Sequence, residues 1–309
     1  MNKNLLTLLI FSTLLGVISC DSTEKIASKI LNTNDTTTLG PWCMDEEKTQ
    51  PGQPKPYCGE LPSLAAVNIR EAELQVVNDQ LKRPWAFEFI NEKVILITEF
   101  EGRLKLLDLK TNKLSNVDGL PIIASGQGQR GLLDVALHPD FENNKIIYFS
   151  YAGFSTDEKG YALKLAKAKL DGNKLRNVSD IFVALPYADQ SSNYGGAIAF
   201  DADNKIVFSS GDRTYSSHAQ DLKKLHGKII RLNDDGSIPT DNPFINNAAY
   251  HPAIYATGVR NPQGLALDKK SGLIYEAEHG PMGGDEVNII QAGKNYGWPL
   301  LSYGMNYVY

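Results

Sequence analysis

One pattern recurs four times along this chain: an alternation of apolar and polar residues, a polar turn, and a second alternation. The segments are WAFEFINEKVILITEFEGRLKLL, LDVALHPDFENNKIIYFSYAG, GAIAFDADNKIVFSSGD and QGLALDKKSGLIYEAEHG, which begin at Trp85, Leu133, Gly196 and Gln263. Alternation with a period of two around Asp, Asn, Gly or Pro predicts a β-hairpin in each segment. Equivalent points recur about every 50 to 65 residues, which is close to the spacing of β-propeller blades.

The repeat therefore predicts an all-β fold, a β-propeller over residues 61–309. In such folds the long loops gather at one end of the central channel, where binding sites are usually found. The spacing leaves room for about four to five blades, and the last residues, LLSYGMNYVY, read as a strand. We therefore expect an incomplete propeller, truncated on its C-terminal side, with unpaired strand edges exposed. A propeller with fewer blades is the alternative.

The first 20 residues, MNKNLLTLLIFSTLLGVISC, place Lys3 ahead of an apolar run, which is typical of a secretory signal peptide. The run ends in Val-Ile-Ser-Cys, which resembles a bacterial lipobox. We expect a lipoprotein signal peptide over residues 1–20, acylation of Cys20, and an exported bacterial lipoprotein in the cell envelope. Contact with the membrane would be through the lipid anchor only. A signal peptide without acylation is the alternative.

Residues 21–60 are predicted to form a tether, because the first half of this segment is polar and has few large apolar side chains. Cys43 and Cys58 bracket a Pro-rich stretch. In an oxidising compartment they are expected to form a disulfide. The alternative, a metal or haem site, lacks a Cys-x-x-Cys motif or a nearby histidine.

Several function classes are excluded by charge and motif. The chain has 31 Lys and Arg against 36 Asp and Glu, a net charge of −5, with no basic stripe, which excludes nucleic acid as a partner. GQGQRG, residues 126–131, matches a dinucleotide fingerprint, but a hairpin follows it where a helix is required. DADNK, residues 201–205, lacks the later residues of an EF-hand. No zinc-type His pair or Gly-x-Ser-x-Gly elbow is present.

Residues 255–307 hold the densest set of candidate ligands. Arg260 and Asn261, followed by Pro262, place a cation and an amide on a non-helical loop, which suits a planar anionic ligand. Further along, two glycine-containing turns expose main-chain carbonyls beside Asp285 and Glu286. Hard oxygen ligands at this density indicate calcium.

Six stretches, taken together, resemble the soluble glucose/sorbosone (aldose sugar) dehydrogenases that depend on pyrroloquinoline quinone (PQQ). They are RPWAFEF, GQRGLLDVALHPDF, GGAIAFDADNKIVFSSGDR, AQDLKKLHGKIIRLNDDGSIPTDNPF, GVRNPQGLAL and EHGPMGGDEVNIIQAGKNYGWP. The resemblance begins near Lys82 and continues to the end of the chain. It implies a six-bladed propeller that carries PQQ and calcium.

The resemblance also implies roles for individual residues. Those implied to hold the quinone are Gln129, Arg260, Asn261 and Tyr307. The carbonyls of Gly280 and Pro281 are implied to bind the calcium that polarises the quinone, and Glu286 with Tyr296 matches a second, structural calcium site. The implied reaction oxidises an aldose sugar at its anomeric carbon to a lactone. Calcium and Arg260 assist the transfer of hydride to the quinone. An electron acceptor then reoxidises the reduced quinone.

Two positions depart from the family pattern His-x-Gly-Gly-Arg. The histidine that serves as general base falls on Asn193, and the arginine falls on Ala197. An amide has no group that titrates near neutral pH, so Asn193 cannot take the proton.

Three hypotheses follow. The first is a working dehydrogenase in which Asp189, His218 or water accepts the proton. The second is a catalytically impaired propeller that binds sugar or protein at the cell surface. The third is a calcium-dependent propeller lactonase or hydrolase.

Overall fold

The computed structural model describes residues 75–157 and 159–305. The predicted signal peptide, Cys20, the tether, the Cys43–Cys58 disulfide and Tyr307 lie outside these residues. Within them, no helix is both long and apolar enough to cross a membrane.

In the described part of the chain, fifteen strands form four antiparallel sheets. The first sheet contains β1 (Pro84–Asn91), β2 (Val94–Glu99), β3 (Arg103–Asp108) and β4 (Lys113–Val117). The second contains β5 (Leu132–Leu137), β6 (Ile146–Phe154), β7 (Tyr161–Asp171) and β8 (Lys174–Ala188). The third contains β9 (Gly195–Phe200), β10 (Ile206–Ser210), β11 (Lys228–Leu232) and β12 (Ile254–Thr257). The fourth contains β13 (Pro262–Leu267), β14 (Ile274–Glu278) and β15 (Glu286–Ile290). A short helix, α1 (Phe141–Asn144), and a 3-10 helix, Ser216–Ala219, lie in connections.

In every sheet the strands pair in chain order, and the first strands β1, β5, β9 and β13 contact one another from sheet to sheet. This is the arrangement of propeller blades around an axis, so the predicted all-β propeller is confirmed, with four blades in the described residues. The apolar core lies between blades. One buried cluster joins blades 1 and 2 and includes Leu96 and Phe149. Another joins blades 3 and 4 and includes Val207 and Ile274.

A buried hydroxyl links each of the first three blades to the next. Thr98 Oγ1 donates to the carbonyl of Leu133 at 2.6 Å. Ser150 Oγ donates to Gly196 at 2.6 Å, and Ser209 Oγ donates to Pro262 at 2.8 Å. Each donor is on the second strand of its blade, and its oxygen also accepts an N–H from the same blade's first strand. The hydroxyls therefore fix the first strands that bring the site loops together.

The site loops share one end of the propeller because the strands within each blade are antiparallel. The chain enters β9 at the end where it leaves β10, since Ser210 pairs with Gly195. In blade 4 it likewise enters β13 where it leaves β14, since Pro262 pairs with Glu278. The segments that precede first strands and those that follow second strands therefore converge at this end. The opposite end carries tight turns such as DADNK, in which Asp201 Oδ1 accepts the N–H groups of Asp203 and Lys205.

Candidate functional site

The segment before β9 has a backbone that few residues can adopt. Asn193 has a φ of +52°, and Gly195 and Gly196 have φ values of +65° and +99°. Asparagine tolerates the left-handed region better than most residues, and glycine enters it without a steric penalty. Across the segment, a Cβ at Gly211 would lie 2.1 Å from the carbonyl oxygen of Asn193. The Gly-Gly pair and Gly211 thus allow this segment, residues 190–195, to turn tightly against the end of β10.

Two residues implied to hold the quinone also hold this segment in place. Gln129, from the loop before β5, accepts the N–H of Tyr194 through Oε1 at 3.3 Å. Asn261, which is buried and lies just before β13, accepts the N–H of Gly195 through Oδ1 at 3.1 Å. The structure therefore brings blades 2, 3 and 4 together at Asn193.

Asn193 is bound to a buried carboxylate. Its Nδ2 donates to Asp212 Oδ1 at 2.9 Å, and the side chain of Asp212 is only 1% exposed. The same carboxylate accepts the indole N–H of Trp298 through Oδ2 at 2.7 Å and the N–H of Thr214 through Oδ1 at 2.8 Å. Asn193 therefore keeps its amide oxygen for an external donor. Ala197, at the position of the family arginine, is a buried residue of β9.

Arg213, to which no role was assigned from the sequence, supports residues 190–195 from inside the protein. Its guanidinium stacks on the ring of Tyr194 at 3.5 Å and donates to the carbonyls of Gln190 and Ser192. Burial lowers the pKa of Arg213 to about 10. Arg213 therefore holds the backbone of residues 190–194 in place from its buried side.

Arg260 lies at the same end of the propeller, over the loop that contains His279 and Gly280. Its guanidinium stacks on Trp298 at 5.4 Å and donates through Nη1 to the carbonyls of His279 and Gly280, at 2.9 and 2.6 Å. Its backbone N–H donates to the buried carboxylate of Glu278. Within residues 75–157 and 159–305 the guanidinium forms no ion pair with a carboxylate. A cation without a counter-ion at a loop cluster is ready to bind an anion.

A small cavity adjoins Arg260. Its lining includes Glu278, Gly280, Gly284, Glu286, Tyr296, Trp298, Leu301 and Ser302 as well as Arg260, and its volume is about 10 Å³. That is room for roughly one atom the size of a water molecule. The structure therefore places Gly280, from one implied calcium site, and Glu286 and Tyr296, from the other, around the same cavity. Pro281 is buried next to it in the chain.

Three glutamates converge beside this cavity on β14 and β15. Glu278 pairs with Glu286 across the strands, and Glu276 pairs with Asn288. Burial, followed by the charge of Glu278, raises the pKa of Glu276 well above its ordinary value. Burial raises the pKa of Glu278 to about 8 and also raises that of Glu286. Glu276 is 1% exposed, and its Oε1 has no hydrogen-bond partner. The region is rich in hard oxygen donors, which the charge of Arg260 compensates only in part.

Side chains alone do not complete a metal site here. In the described part of the chain, no three His, Cys, Asp or Glu side chains are grouped so that they could hold an ion. The hydroxyl of Tyr296 donates to the carbonyl of Ile289 at 2.6 Å, so the phenol is already occupied. Main-chain carbonyls such as that of Gly280 would have to contribute, as the sequence predicts.

The two side chains considered as replacement bases lie on the same side of the site. Asp189 is exposed and accepts the hydroxyl of Tyr215 at 2.8 Å. His218 stacks on Tyr215, with ring centroids 5.0 Å apart. It lies in the 3-10 helix of the connection that follows Asp212.

Sequence reasoning missed Asp212, Trp298 and Glu278. The Gly-Asp-Arg after β10 and the Trp-Pro near the end of the chain are visible in the sequence. Their pairing is not, because Asp212 and Trp298 are 86 residues apart. A charged residue directly after a predicted second strand was the available signal for Asp212.

The sequence model of the family described as Glucose / Sorbosone dehydrogenase matches residues 81–309. The aldose sugar dehydrogenase of Escherichia coli is 39% identical over 79% of this chain and 64% of its own length. Quinoprotein glucose dehydrogenase B of Acinetobacter calcoaceticus is 32% identical over 77% of this chain and 55% of its own. The chain thus spans less than two thirds of these relatives.

Solved structures agree. The soluble aldose sugar dehydrogenase of Escherichia coli in its apo form superposes with a TM-score of 0.71 at 38% identity, over 75% of this chain and 67% of that one. The PQQ-bound aldose sugar dehydrogenase of Streptomyces coelicolor gives a TM-score of 0.66 at 29% identity, over 74% and 66%. The relatives include quinoproteins, and one of their structures contains PQQ.

Proposed function

Because this chain belongs to the glucose/sorbosone dehydrogenase family, we propose that it binds PQQ and oxidises an aldose sugar at the anomeric carbon to the lactone, assisted by calcium. An electron acceptor would then reoxidise the cofactor. The observation that carries this proposal is the convergence of Gln129 and Asn261 on the segment that holds Asn193, with Arg260 next to it through Asp212, whose N–H donates to the Arg260 carbonyl.

The residues present fit a planar anionic quinone. Arg260 offers a cation with no carboxylate partner in the described chain, and Trp298 holds its plane. Gln129 and Asn261 keep amide N–H groups for a ligand, since the contacts to the backbone use their oxygens. The quinone must lie on the open loop surface, because the cavity next to Arg260 is far too small for it. When bound, PQQ supplies the two-electron oxidant that takes the hydride.

The donor set next to Arg260 fits calcium. Carboxylate and carbonyl oxygens are the ligands calcium takes, and the cavity has the size of a single ion. Buried carboxylates that lack a cation hold their protons more tightly than usual, as the raised pKa values of Glu278 and Glu286 show. We propose that the carbonyls of Gly280 and Pro281 hold the calcium next to the quinone. Glu286 and the main-chain carbonyl of Tyr296 would hold the second, structural calcium, because the phenol of Tyr296 is already hydrogen-bonded.

The role left to Asn193 is binding. Its Nδ2 is committed to Asp212, so its Oδ1 can accept a hydrogen bond from a sugar hydroxyl and orient the sugar. It takes no proton, so turnover requires another acceptor.

Restoring the histidine tests this reading. We expect Asn193→His to raise sugar-dependent dye reduction in protein loaded with PQQ and calcium, since it adds a titratable base at the position where the family pattern has one. Asp212 is placed to orient the new imidazole, because it already binds the side chain at position 193.

Asn193→Gln is the matched control, since it changes the side chain without adding a base, and it should not gain activity. Asn193→His combined with Asp212→Asn should lose most of the gain. An inactive Asn193→His variant that binds PQQ normally would contradict the proposal.

A second candidate function rests on the same asparagine. A propeller that binds quinone and sugar without oxidising the sugar would be a catalytically impaired family member acting as a binding protein. Saturable PQQ binding, with no dye reduction from any aldose tested, would favour it. Ester hydrolysis without added quinone would favour the lactonase alternative.

The site of action is a further part of the proposal. The apolar run and Cys20 support export as a lipoprotein to the cell envelope, where a soluble propeller would remain attached by lipid. Metabolic labelling with a fatty acid, compared between the natural chain and Cys20→Ser, tests it.

A further inference from the structure

Two histidines next to the site form a hydrogen-bonded pair whose proton positions can be deduced. His226 is 1% exposed, and its Nε2 lies 2.9 Å from the carbonyl oxygen of Pro186. A carbonyl only accepts, so His226 Nε2 carries a proton. Burial and the charge of Arg213 lower the pKa of His226 to about 3, so this imidazole is neutral and its Nδ1 has a lone pair.

The partner of that lone pair is His218. The two Nδ1 atoms are 3.0 Å apart. Because His226 Nδ1 accepts, His218 Nδ1 must donate. A neutral His218 then has its lone pair on Nε2, and no hydrogen bond to this atom occurs in the described chain. The backbone carbonyl of Pro186 thus fixes, through His226, the nitrogen of His218 that is free to accept a proton.

The location of His218 matches this task. It is partly exposed and lies in the connection between β10 and β11, at the end of the propeller that carries the site. Asp212, which binds Asn193, is six residues earlier in this connection and acts electrostatically on His218. Two neighbouring rings restrict the imidazole, because Tyr215 and His226 stack on it at 5.0 and 5.2 Å and lie 6.4 Å from each other. The imidazole is rigid, oriented and open on one nitrogen.

We propose that His218 Nε2 accepts the proton of the anomeric hydroxyl, and that His226 is the positioning residue that holds it in the competent tautomer. The inference rests on the proposed function. In the step, the O–H bond of the sugar breaks and its proton goes to His218. The anomeric C–H bond breaks as hydride, which reduces the quinone, and the carbon–oxygen bond becomes the lactone carbonyl. A neutral imidazole held by a hydrogen bond on its other nitrogen is the usual form of a general base.

Burial, with help from nearby positive charge, keeps His218 unprotonated near neutral pH. Burial, followed by the charge of Lys224, lowers its pKa below the ordinary value of 6.5. The charged or titratable groups that face it are Lys224, Asp221, Lys228, Asp212, His226 and Tyr215. Since the depressed pKa lies below neutrality, the base form dominates at pH 7. We expect kcat/KM to fall with a one-proton slope only as the pH drops through this value.

The test combines nitrogen NMR with kinetics on the full chain. In ¹⁵N-labelled protein at pH 7 we expect His218 to show a bare Nε2 and a protonated Nδ1, and His226 the opposite tautomer. Adding D-glucose to protein loaded with PQQ and calcium should shift the His218 Nε2 signal. The pKa from the titration of this nitrogen should equal that of the acid limb of kcat/KM. His218→Gln should lower kcat about 10²–10⁴-fold without changing the affinity for PQQ.

The matched control is His138→Gln, at the opposite end of blade 2, which should leave kcat unchanged. His226→Ala should lower kcat less than His218→Gln and should mix the tautomers of His218. Unchanged turnover in His218→Gln, or a protonated Nε2 of His218 in the natural chain, would overturn this inference and leave the proposed function standing. A natural chain that binds PQQ but reduces no dye with any aldose would instead overturn the proposed function, and His218 as its base with it.

Discussion

At the scale of single residues, the site depends on how closely residues 190–195 approach the end of β10. The N–H of Gly211 donates to the carbonyl of Tyr194 at 2.9 Å, and the N–H of Arg213 donates to the carbonyl of Asn193 at 3.1 Å. A side chain at Gly211 has no room, since its Cβ would also approach the N–H of Gly195 to 3.0 Å. The glycine is therefore needed for a close approach of two backbones.

We expect Gly211→Ala to displace Asn193 and to weaken PQQ binding at least tenfold. Overpacking of a close contact costs about 1–3 kcal/mol, and part of that cost would be relieved by movement of the segment. The measurement is a PQQ titration with a parallel melting curve. Gly264→Ala is the control, because its Cβ would come no closer than 3.3 Å to a neighbouring atom, the Cβ of Ala277. Equal PQQ affinity in the two variants would contradict the account.

At the scale of elements, the same kind of hydrogen bond, from a buried hydroxyl on a second strand, joins each of the first three blades to the next. The hydroxyls of Thr98, Ser150 and Ser209 each accept from their own blade and donate to the next blade. The position on β14 that follows the same pattern is Ala277, which has no hydroxyl. Blade order is thus maintained by polar contacts as well as by the apolar clusters between blades.

Ser150→Ala should destabilise the fold by about 1–3 kcal/mol, since it leaves the buried carbonyl of Gly196 without its donor. Urea unfolding should show a lower midpoint with an unchanged slope. Ser179→Ala, on the exposed strand β8, should leave the midpoint unchanged. A Ser150→Ala midpoint equal to that of Ser179→Ala would count against the interblade role of the hydroxyl.

Glu88, a partly buried acid on β1, gives a prediction about the pH dependence of stability. Burial, and then the charge of Asp134, raises the pKa of Glu88 to about 7. Between its ordinary pKa of 4.5 and this value, the folded chain holds a proton that the unfolded chain releases. The free energy of unfolding therefore falls as the pH rises across this window.

Glutamine does not titrate, so Glu88→Gln removes the fall in the free energy of unfolding that Glu88 causes as the pH rises. The substitution should therefore raise the melting temperature more at about pH 8 than at about pH 5. The exposed Glu92→Gln serves as the control and should show no such difference. An equal shift for Glu88→Gln at both pH values would show that Glu88 is not protonated in the folded state.

The hairpins were predictable because apolar stretches of strand length flank polar turns. The expected alternation does not extend to the second strands β2, β6 and β10, which are buried along nearly their whole length because they lie inside the blades. Strand β8 was not singled out, since its pairing with β7 is interrupted by three irregularities that break the alternation. In the site, Arg260 and Asn261 were found from local composition. The Asp212–Trp298 contact and the His218–His226 pair leave no local pattern, because they join residues that only the folded blades bring together.

At the scale of the whole molecule, the four described blades present their loops at one end, and blades 2, 3 and 4 each contribute one part of the proposed chemistry. Blade 2 supplies Gln129, blade 3 supplies Asn193 and His218, and blade 4 supplies Arg260 and the oxygen-rich cavity. The central claim is that this combined surface binds PQQ together with calcium.

Titration of the purified full chain with PQQ, followed by absorbance with and without calcium, tests that claim most directly. We predict a saturable one-to-one change that calcium strengthens and that Arg260→Met weakens. The melting temperature should rise at the same time, since a ligand that binds only the folded state stabilises it. No absorbance change in the natural chain, or a change that neither calcium nor Arg260→Met affects, would contradict the account.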